Sequence, residues 1–497
     1  MLGELRRSLV VADFTVAGVT ELIGAHAHEA LARNETTPAR QRTSDGSPLA
    51  TLTRLWLLQA DVDESDLVRA LPGLVDPLAA SGLLERAGGQ VRARLDVRPY
   101  ADDDRDWWVV SDLTPGLDGV VGRMAADHVL GVSTASTSLA QLTMRTPVQR
   151  ALDLGTGSGV QLLHLSSHVA DVVGTDVNPR CLDLAKLTLD LNEVAADVRA
   201  GDLFEPVAGE RFDLIVSNPP FVISPGDSER LAYRDSGLPG DEVVRRLVSA
   251  GADHLSDGGW LQALGNWVHL VGEPWSERVG RWVSATGCDA WVIEREVVDP
   301  PRYVEMWLAD AGLQGAPDYV RRYDAWLRWF DEQHVEAVGF GWLNLHRTGR
   351  TEPVVRLEEW PYAVDQPIGS HIAAWGRDVE AATAYGSSAH DVTDTLLRQR
   401  LVRRSDVREE RTGVPGDAEP QRIVLRQRRG LRRARSVSTV EAAFYGACDG
   451  DLTVGQIAEA VAMLLGTDVT ETTREVVAAA RDLIATGYFT HENDPAD

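Results

Sequence analysis

The stretch Ala151–Phe221 constrains this chain more than any other, because strand-like and helix-like runs alternate through it. It opens with Ala151-Leu152-Asp153-Leu154-Gly155-Thr156-Gly157-Ser158-Gly159, an apolar run that passes straight into a glycine-rich turn. It closes with Phe212-Asp213-Leu214-Ile215-Val216-Ser217-Asn218-Pro219-Pro220-Phe221, a buried-strand pattern that ends in a stiff polar and aromatic tip. Such alternation is the signature of parallel strands covered by crossover helices. Strands are expected at Arg150–Leu154, Val172–Asp176, Val198–Ala200, Leu214–Asn218 and Trp260–Gly265, with helices at Val160–Val169, Pro179–Asn192 and Asp241–His254. A later pair, Ala290–Val298 and Val338–Arg347, would complete the sheet. The expected fold class is therefore α/β, with a mostly parallel, seven-stranded sheet.

Chemistry gathers at the ends of those strands. In Gly155-x-Gly157-x-Gly159 the glycines let the backbone curve tightly and approach a ligand, and the helix that follows offers free N–H groups. The spacing differs from the dinucleotide fingerprint. Asp176 closes the next strand, where a carboxylate can accept hydrogen bonds from both hydroxyls of a ribose. Gly201-Asp202-Leu203-Phe204 follows the strand after that and could read an adenine amino group. Three ligand points at successive strand ends lie where open α/β sheets bind cofactors. In Asn218-Pro219-Pro220-Phe221 the prolines fix the backbone and remove amide donors. The Asn218 side-chain oxygen and the Pro219 carbonyl can then accept from a planar NH2 group whose flat face rests on Phe221. The bland alternatives are a glycine that serves helix–strand packing and an Asn-Pro turn after a strand.

At 497 residues the chain needs two or three domains. Before the central region, Leu52, Leu55, Trp56 and Leu58 mark one helix, and Asp61–Leu71 and Val75–Leu84 give two more. The Gly88-Gly89 turn and a short strand at Val91–Leu95 follow, so residues 1–112 suggest a winged-helix-like module. Asp102, Asp103, Asp104 and Asp106 form an acidic segment that suits an exposed loop better than a metal site. The central domain is expected over 113–352, with Pro300–Glu332, rich in Trp, Tyr and Arg, forming helix near the substrate end. Residues 353–497 would form a C-terminal domain with a winged-helix-like end. There Glu359–Trp375 and Arg398–Pro420 are expected to be irregular, Gln421–Gln427 a strand, and Thr439–Cys448, Val454–Leu465 and Thr470–Thr486 helices.

A formal charge of −26 opposes unassisted binding to a polyanion. Lys186 is the only lysine, and arginines cluster from Arg422 to Arg435, including Arg426, Arg428, Arg429, Arg432 and Arg433. Cys181, Cys288 and Cys448 are too widely separated for a disulfide framework or a zinc site, so no metal is expected. No apolar run reaches bilayer length, and Asp13 interrupts the Leu9-Val10-Val11 run, so a cytoplasmic protein is expected.

In its order of motifs the region from about Thr134 to Gly265 resembles the class I S-adenosylmethionine-dependent methyltransferases. The nearest flavour is the small-methyltransferase group that includes the release-factor glutamine N-methyltransferases (HemK/PrmC-type). The resemblance rests on Asp153–Gly159, Asp176, Gly201–Phe204 and Asn218–Phe221, with Phe221 where that group usually carries tyrosine. It implies a Rossmann-like sheet and S-adenosyl-L-methionine as cofactor. Asp153, Gly155, Thr156, Gly157, Gly159, Asp176, Asp202, Leu203 and Asn218 would line the cofactor, and Thr137 would touch its methionine end. Asn218, Pro219, Pro220 and Phe221 would carry the chemistry, and Asn192 would be structural. The implied reaction is methyl transfer to a planar amide or amino nitrogen, with a protein glutamine-type side chain favoured. An amino group of an RNA or DNA base, contacted through Arg422–Arg435, and a small metabolite are the alternatives. A homodimer is compatible with the flanking modules. His254, His269 and His371 are candidate proton acceptors, although a lone histidine is more often structural.

Overall fold

The computed structural model describes residues 1–119, 125, 127–225, 237–383, 389–414 and 421–490. By internal contacts the chain divides into two units, Met1–Ala140 with Pro147–Trp360, and Gln141–Thr146 with Pro361–Asp497.

The first unit begins with α1 (Leu2–Val11), α2 (Val16–Ile23), α3 (Ala25–Leu31), α4 (Thr37–Arg42) and α5 (Pro48–Leu52), the last running into a π-helical turn at Thr53–Leu57. Thr15 and Ser47 cap α2 and α5 through Gly18 N and Ala50 N. There follow β1 (Val62–Asp63), α6 (Glu64–Ala70), α7 (Val75–Ala80), β2 (Leu84–Ala87) and β3 (Gln90–Ala93), the strands pairing antiparallel in the order β1-β3-β2. A hairpin of β4 (Asp96–Ala101) and β5 (Asp106–Ser111) comes next, and Asp102 Oδ1 accepts from Asp104 N and Arg105 N in its turn. The acidic segment is thus an Asx-type turn at a hairpin tip.

After α8 (Thr134–Leu142) the main sheet is assembled from β6 (Val148–Leu154), β7 (Val169–Asp176), β8 (Asp197–Ala200), β9 (Phe212–Ser217), β10 (Leu255–Leu270), β11 (Asp289–Val298), β12 (Val335–His346) and β13 (Val355–Glu359). The order is β13-β11-β12-β10-β9-β6-β7-β8, with only the β10–β12 and β11–β12 pairings antiparallel. Helices α9 (Val160–Leu165), α10 (Pro179–Asn192), α11 (Glu242–Asp253) and α12 (Trp275–Ser284) intervene, while α13 (Pro300–Asp310) and α14 (Tyr319–Glu332) sit in sequence between β11 and β12.

Among the described residues the sheet therefore has eight strands rather than the expected seven. The extra edge strand, Val-Arg-Leu-Glu-Glu, hides in the sequence because three of its five residues are charged. Val355 and Leu357 pack against the core, while Arg356 lies over the Trp291 ring at 5.5 Å and Glu358 accepts from Trp291 Nε1 at 2.6 Å. Helix α9 ends at Leu165 and Val169 already belongs to β7, so the helix is shorter than its apolar run.

Helix α10 ties the N-terminal helices to strand β5. Its Cys181, Leu184 and Leu191 join the N-terminal core of Leu5, Leu9, Phe14, Leu52, Trp56 and Leu78. The Asn192 side chain holds both backbone groups of Trp108, accepting from N at 2.9 Å and donating to O at 2.7 Å, and Thr188 Oγ1 accepts from Val110 N. Strand β5 thus borrows side chains of α10 where a neighbouring strand would supply backbone. The structural role inferred for Asn192 is what this geometry provides.

The second unit contains α15 (Gly369–Thr383), α16 (Ala389–Leu397), an antiparallel meander of β14 (Val407–Thr412), β15 (Arg422–Gln427) and β16 (Ala434–Val437), and then α17 (Thr439–Ala447), α18 (Val454–Leu465) and α19 (Val469–Ala485). Capping boxes Ser438/Glu441 and Thr453/Gln456 start α17 and α18. Two stretches expected to be irregular carry structure: α15 covers Gly369 to Trp375 and beyond, and Val407–Thr412 is strand. In β14 nearly every side chain is exposed, so no alternation marks it, and pairing to β15 decides it. Positions 415–420 of the second stretch lie outside the described residues.

Candidate cofactor and acceptor site

The ends of β6, β7, β8 and β9 lie side by side, Leu154 level with both Thr175 and Ser217, and Asp176 level with Ala200. Strand order reverses between β6 and β9, with β7 and β8 on one side and β10 on the other, and a crevice opens at such a switch point. Ser217 Oγ donates to Leu154 O at 2.8 Å and fastens the two central strands at this edge.

The turn after β6 requires its glycines. Gly155, Gly157 and Gly159 have φ of 77°, 54° and 86°, in the region that side chains disfavour. A Cβ at Gly157 would meet nothing within 4 Å, whereas one at Gly159 would come within 3.4 Å of Ala185 Cα. Gly157 frames open space, Gly155 lies beside the Asn218 carbonyl, and Gly159 permits α9 to pack on α10. Gly155 N and Thr156 N both donate to Thr175 O, at 2.8 and 2.9 Å.

Two carboxylates flank the turn. Asp153 is 1% exposed, its Oδ2 accepts from the Thr156 hydroxyl at 2.6 Å, and burial, with a smaller contribution from the Asp176 charge, pushes its carboxyl up to about 7. Asp176 accepts from Gly157 N through Oδ2 and from Asn178 N through Oδ1, each at 2.9 Å. Burial raises its carboxyl, and those amides together with the Cys181 thiol oppose the shift. Sequence reasoning missed the Cys181 contact, which no motif announces.

Beyond β8, Gly201 N donates to Asp176 O at 3.1 Å, which sets Asp202 and Leu203 beside the acidic corner. Leu203 has φ of 43°, a value costly for a branched side chain, and Asp202 is exposed. Thr137, in α8, donates its hydroxyl to Ser133 O at 3.0 Å, and α8 is tied to α9 by Gln161 Nε2 donating to Ser136 O at 2.7 Å.

The tip after β9 is half-open. Pro219 is buried, while Asn218, Pro220 and Phe221 are partly exposed. Asn218 Oδ1 is buried with no hydrogen-bond partner among the described residues, and an orphaned acceptor of that kind costs about 1–3 kcal/mol unless a ligand donates to it. The Phe221 ring meets Trp307 of α13 edge-on at 6.3 Å. Thus the glycine turn, Asp153, Asp176, Asp202, Leu203 and Asn218–Phe221 share one sheet edge.

The three histidines are engaged in packing. His254 stacks on Phe204 at 4.5 Å and lies 3.0 Å from Ala250 O through Nδ1. His269 Nε2 lies 2.7 Å from Glu294 Oε2. His371 is in the second unit, where burial, then the Arg404 charge, lowers its pKa. The arginine cluster, also in that unit, is partly compensated: Arg426 pairs with Glu410, Arg432 with Asp365, and Arg435 with Glu441 and Asp482.

Comparison with known proteins agrees with this layout. The family model described as methyltransferase small domain matches residues 130–270. Over those residues the chain is similar to the class I S-adenosylmethionine-dependent methyltransferases. A second model, a domain of unknown function, matches residues 11–94. The ribosomal protein uL3 glutamine methyltransferase of Bradyrhizobium diazoefficiens is 34% identical over 179 residues, 33% of this chain and 54% of the relative. The release factor glutamine methyltransferase of Geobacter sulfurreducens is 37% identical over 122 residues, 22% of this chain and 43% of the relative. The ribosomal RNA small subunit methyltransferase C of Erwinia tasmaniensis is 30% identical over 187 residues, 36% and 49%. The chain spans about half the length of the curated relatives it matches. The family-model match ends at residue 270, before α13 and α14 begin.

Proposed function

We propose that this chain is an N-methyltransferase that uses S-adenosylmethionine to methylate a planar amide nitrogen of a protein side chain of the glutamine type. The observation that carries the reading is the buried Asn218 Oδ1, unpartnered among the described residues, at the same sheet edge as a glycine turn opening on free space. Bound there, the cofactor supplies an activated methyl group on a sulfonium. Asp176 would hold the ribose hydroxyls, Asp202 and Leu203 the adenine, and Asp153 with the glycine turn and Thr137 the methionine end.

Asn218 Oδ1 and the Pro219 carbonyl would accept the two N–H bonds of the amide, fix its plane, and favour the positive charge that grows on nitrogen during transfer. Phe221 offers the supporting ring face. No base is needed beforehand, because the nitrogen can lose its proton during or after transfer.

The charge of −26 favours a protein acceptor over a polyanion, as do the acids paired to Arg426, Arg432 and Arg435. A base amino group in RNA is the second reading, favoured by the relative named for ribosomal RNA. In the N-terminal region, the order α5, β1, α6, α7, β2, β3 supports the winged-helix-like reading and a substrate-docking role.

The test is transfer of tritium-labelled methyl to a cell extract, followed by protease or nuclease digestion. Label released by protease, and lost with Asn218→Ala while cofactor binding survives, is the expected result. Label released by nuclease selects the RNA reading, and full turnover by Asn218→Ala refutes the assigned role of the tip.

A further inference from the structure

We infer that Tyr303 is a positioning residue for the acceptor-gripping tip, and that the α13–α14 insertion exists to hold that tip. The inference rests on the proposed role of Asn218–Phe221. Two residues beyond Phe221, both backbone groups of Ile223 are taken by side chains of the insertion. Ile223 N donates to Tyr303 Oη at 2.8 Å, and Trp326 Nε1 donates to Ile223 O at 2.9 Å. Asn266 Nδ2, on β10, donates to the same Tyr303 oxygen at 3.1 Å. One hydroxyl therefore joins the segment leaving the tip, the insertion, and the central strand beside it.

The surroundings leave this junction little freedom. Val222, Ile223, Tyr303 and Trp326 are all buried, and Tyr303 is ringed by Trp307, Trp326, Phe330 and Phe340 at centroid distances of 5.7–6.3 Å. Phe221 meets Trp307, one helical turn from Tyr303. The antiparallel neighbours β11 and β12 could be joined by a tight hairpin. The chain instead spends two helices there, and their buried faces close on Val222 and Ile223. None of these groups belongs to the glycine turn or to Asp176, so the network acts on the acceptor side of the crevice.

Loss of the hydroxyl in Tyr303→Phe leaves the buried Ile223 amide without its acceptor and keeps the ring packing. Displacement of a tip that must hold its acceptor in line is expected to lower kcat about tenfold, with Kd and KM for S-adenosylmethionine within about twofold of the parent. The probes are tritiated S-adenosylmethionine, with proteins from cells lacking this chain as acceptor, and hydrogen exchange at Ile223 and Gly157. Exchange should quicken at Ile223 alone, which a general loss of stability would not produce. A kcat within about threefold of the parent overturns the inference if Asn218→Ala is inactive in the same assay, and so does equal weakening of cofactor binding. Activity retained by Asn218→Ala, or no transfer by the parent, instead overturns the proposed function and this inference with it. If Tyr303→Phe does not fold, Trp326→Phe, which frees the Ile223 carbonyl, is judged by the same criteria.

Discussion

Replacing Asp153 by Asn should remove a pH dependence of cofactor binding that the structure builds in. The carboxyl is 1% exposed and sits at about 7 against an ordinary 3.8, chiefly through burial. A carboxyl raised on folding contributes stability that is fully present below its ordinary pKa and is lost as pH rises through the folded value. About three pH units at 1.36 kcal/mol each mean that keeping Asp153 ionised in the empty site costs about 4 kcal/mol. Under the proposed function this residue would lie at the methionine end, where a cationic ammonium would favour the ionised form. At about pH 6 only about a tenth of the sites would hold that form, so the apparent Kd should be about tenfold weaker than at about pH 7.5. Isothermal titration of S-adenosylmethionine between about pH 5.5 and 7.5, in buffers of different ionisation enthalpy, should show about one proton released per cofactor bound at the acid end. Asp153→Asn should bind more weakly, with a much shallower slope. The Asp176 carboxyl is also raised by burial, and any slope left in the variant is assigned to it. A parent Kd that changes less than about twofold across the range, with no proton release, would refute the reasoning.

Asp176→Ala removes the acceptor of Gly157 N and Asn178 N together with the proposed ribose contact. Two charge-assisted hydrogen bonds at about 1.5 kcal/mol each predict about a hundredfold weaker cofactor binding, and unchanged affinity by equilibrium dialysis would defeat the cofactor assignment. Neutralising Arg428 and Arg429 to Gln should leave RNA retention on filters unchanged at low salt, since Arg426, Arg432 and Arg435 around them are paired to acids and the chain carries a formal charge of −26. A salt-sensitive loss of binding in that variant would move the reading toward RNA.

How much of this was legible beforehand differs from element to element. The strands β6, β7 and β9 and helix α10 stand close to where their apolar runs and their Asn, Pro and Gly punctuation suggest, because burial on both faces imposes near-continuous hydrophobicity. Strand β13 was hidden because three of its five residues are charged, and the contacts of Arg356 and Glu358 with Trp291 appear only once the strands are paired. Strand β14 was hidden because an exposed edge carries no pattern. In the site, the glycine turn, Asp176 and Asn218–Phe221 could be named from spacing. The Cys181 contact to Asp176 and the hold of Tyr303 and Trp326 on Ile223 could not.

The sequence by itself determined which residues can serve as cradle, carboxylate and grip, since glycine at positive φ, a buried strand-end acid and a proline-stiffened tip are properties of local chemistry. Only the tertiary structure decided which distant side chains steady them. Tyr303 lies 80 positions from the amide it holds, and such a bond depends on strand order and helix packing that no local window contains. Hydrogen-bond geometry is a matter of ångströms, and ångströms are fixed when the whole sheet is assembled.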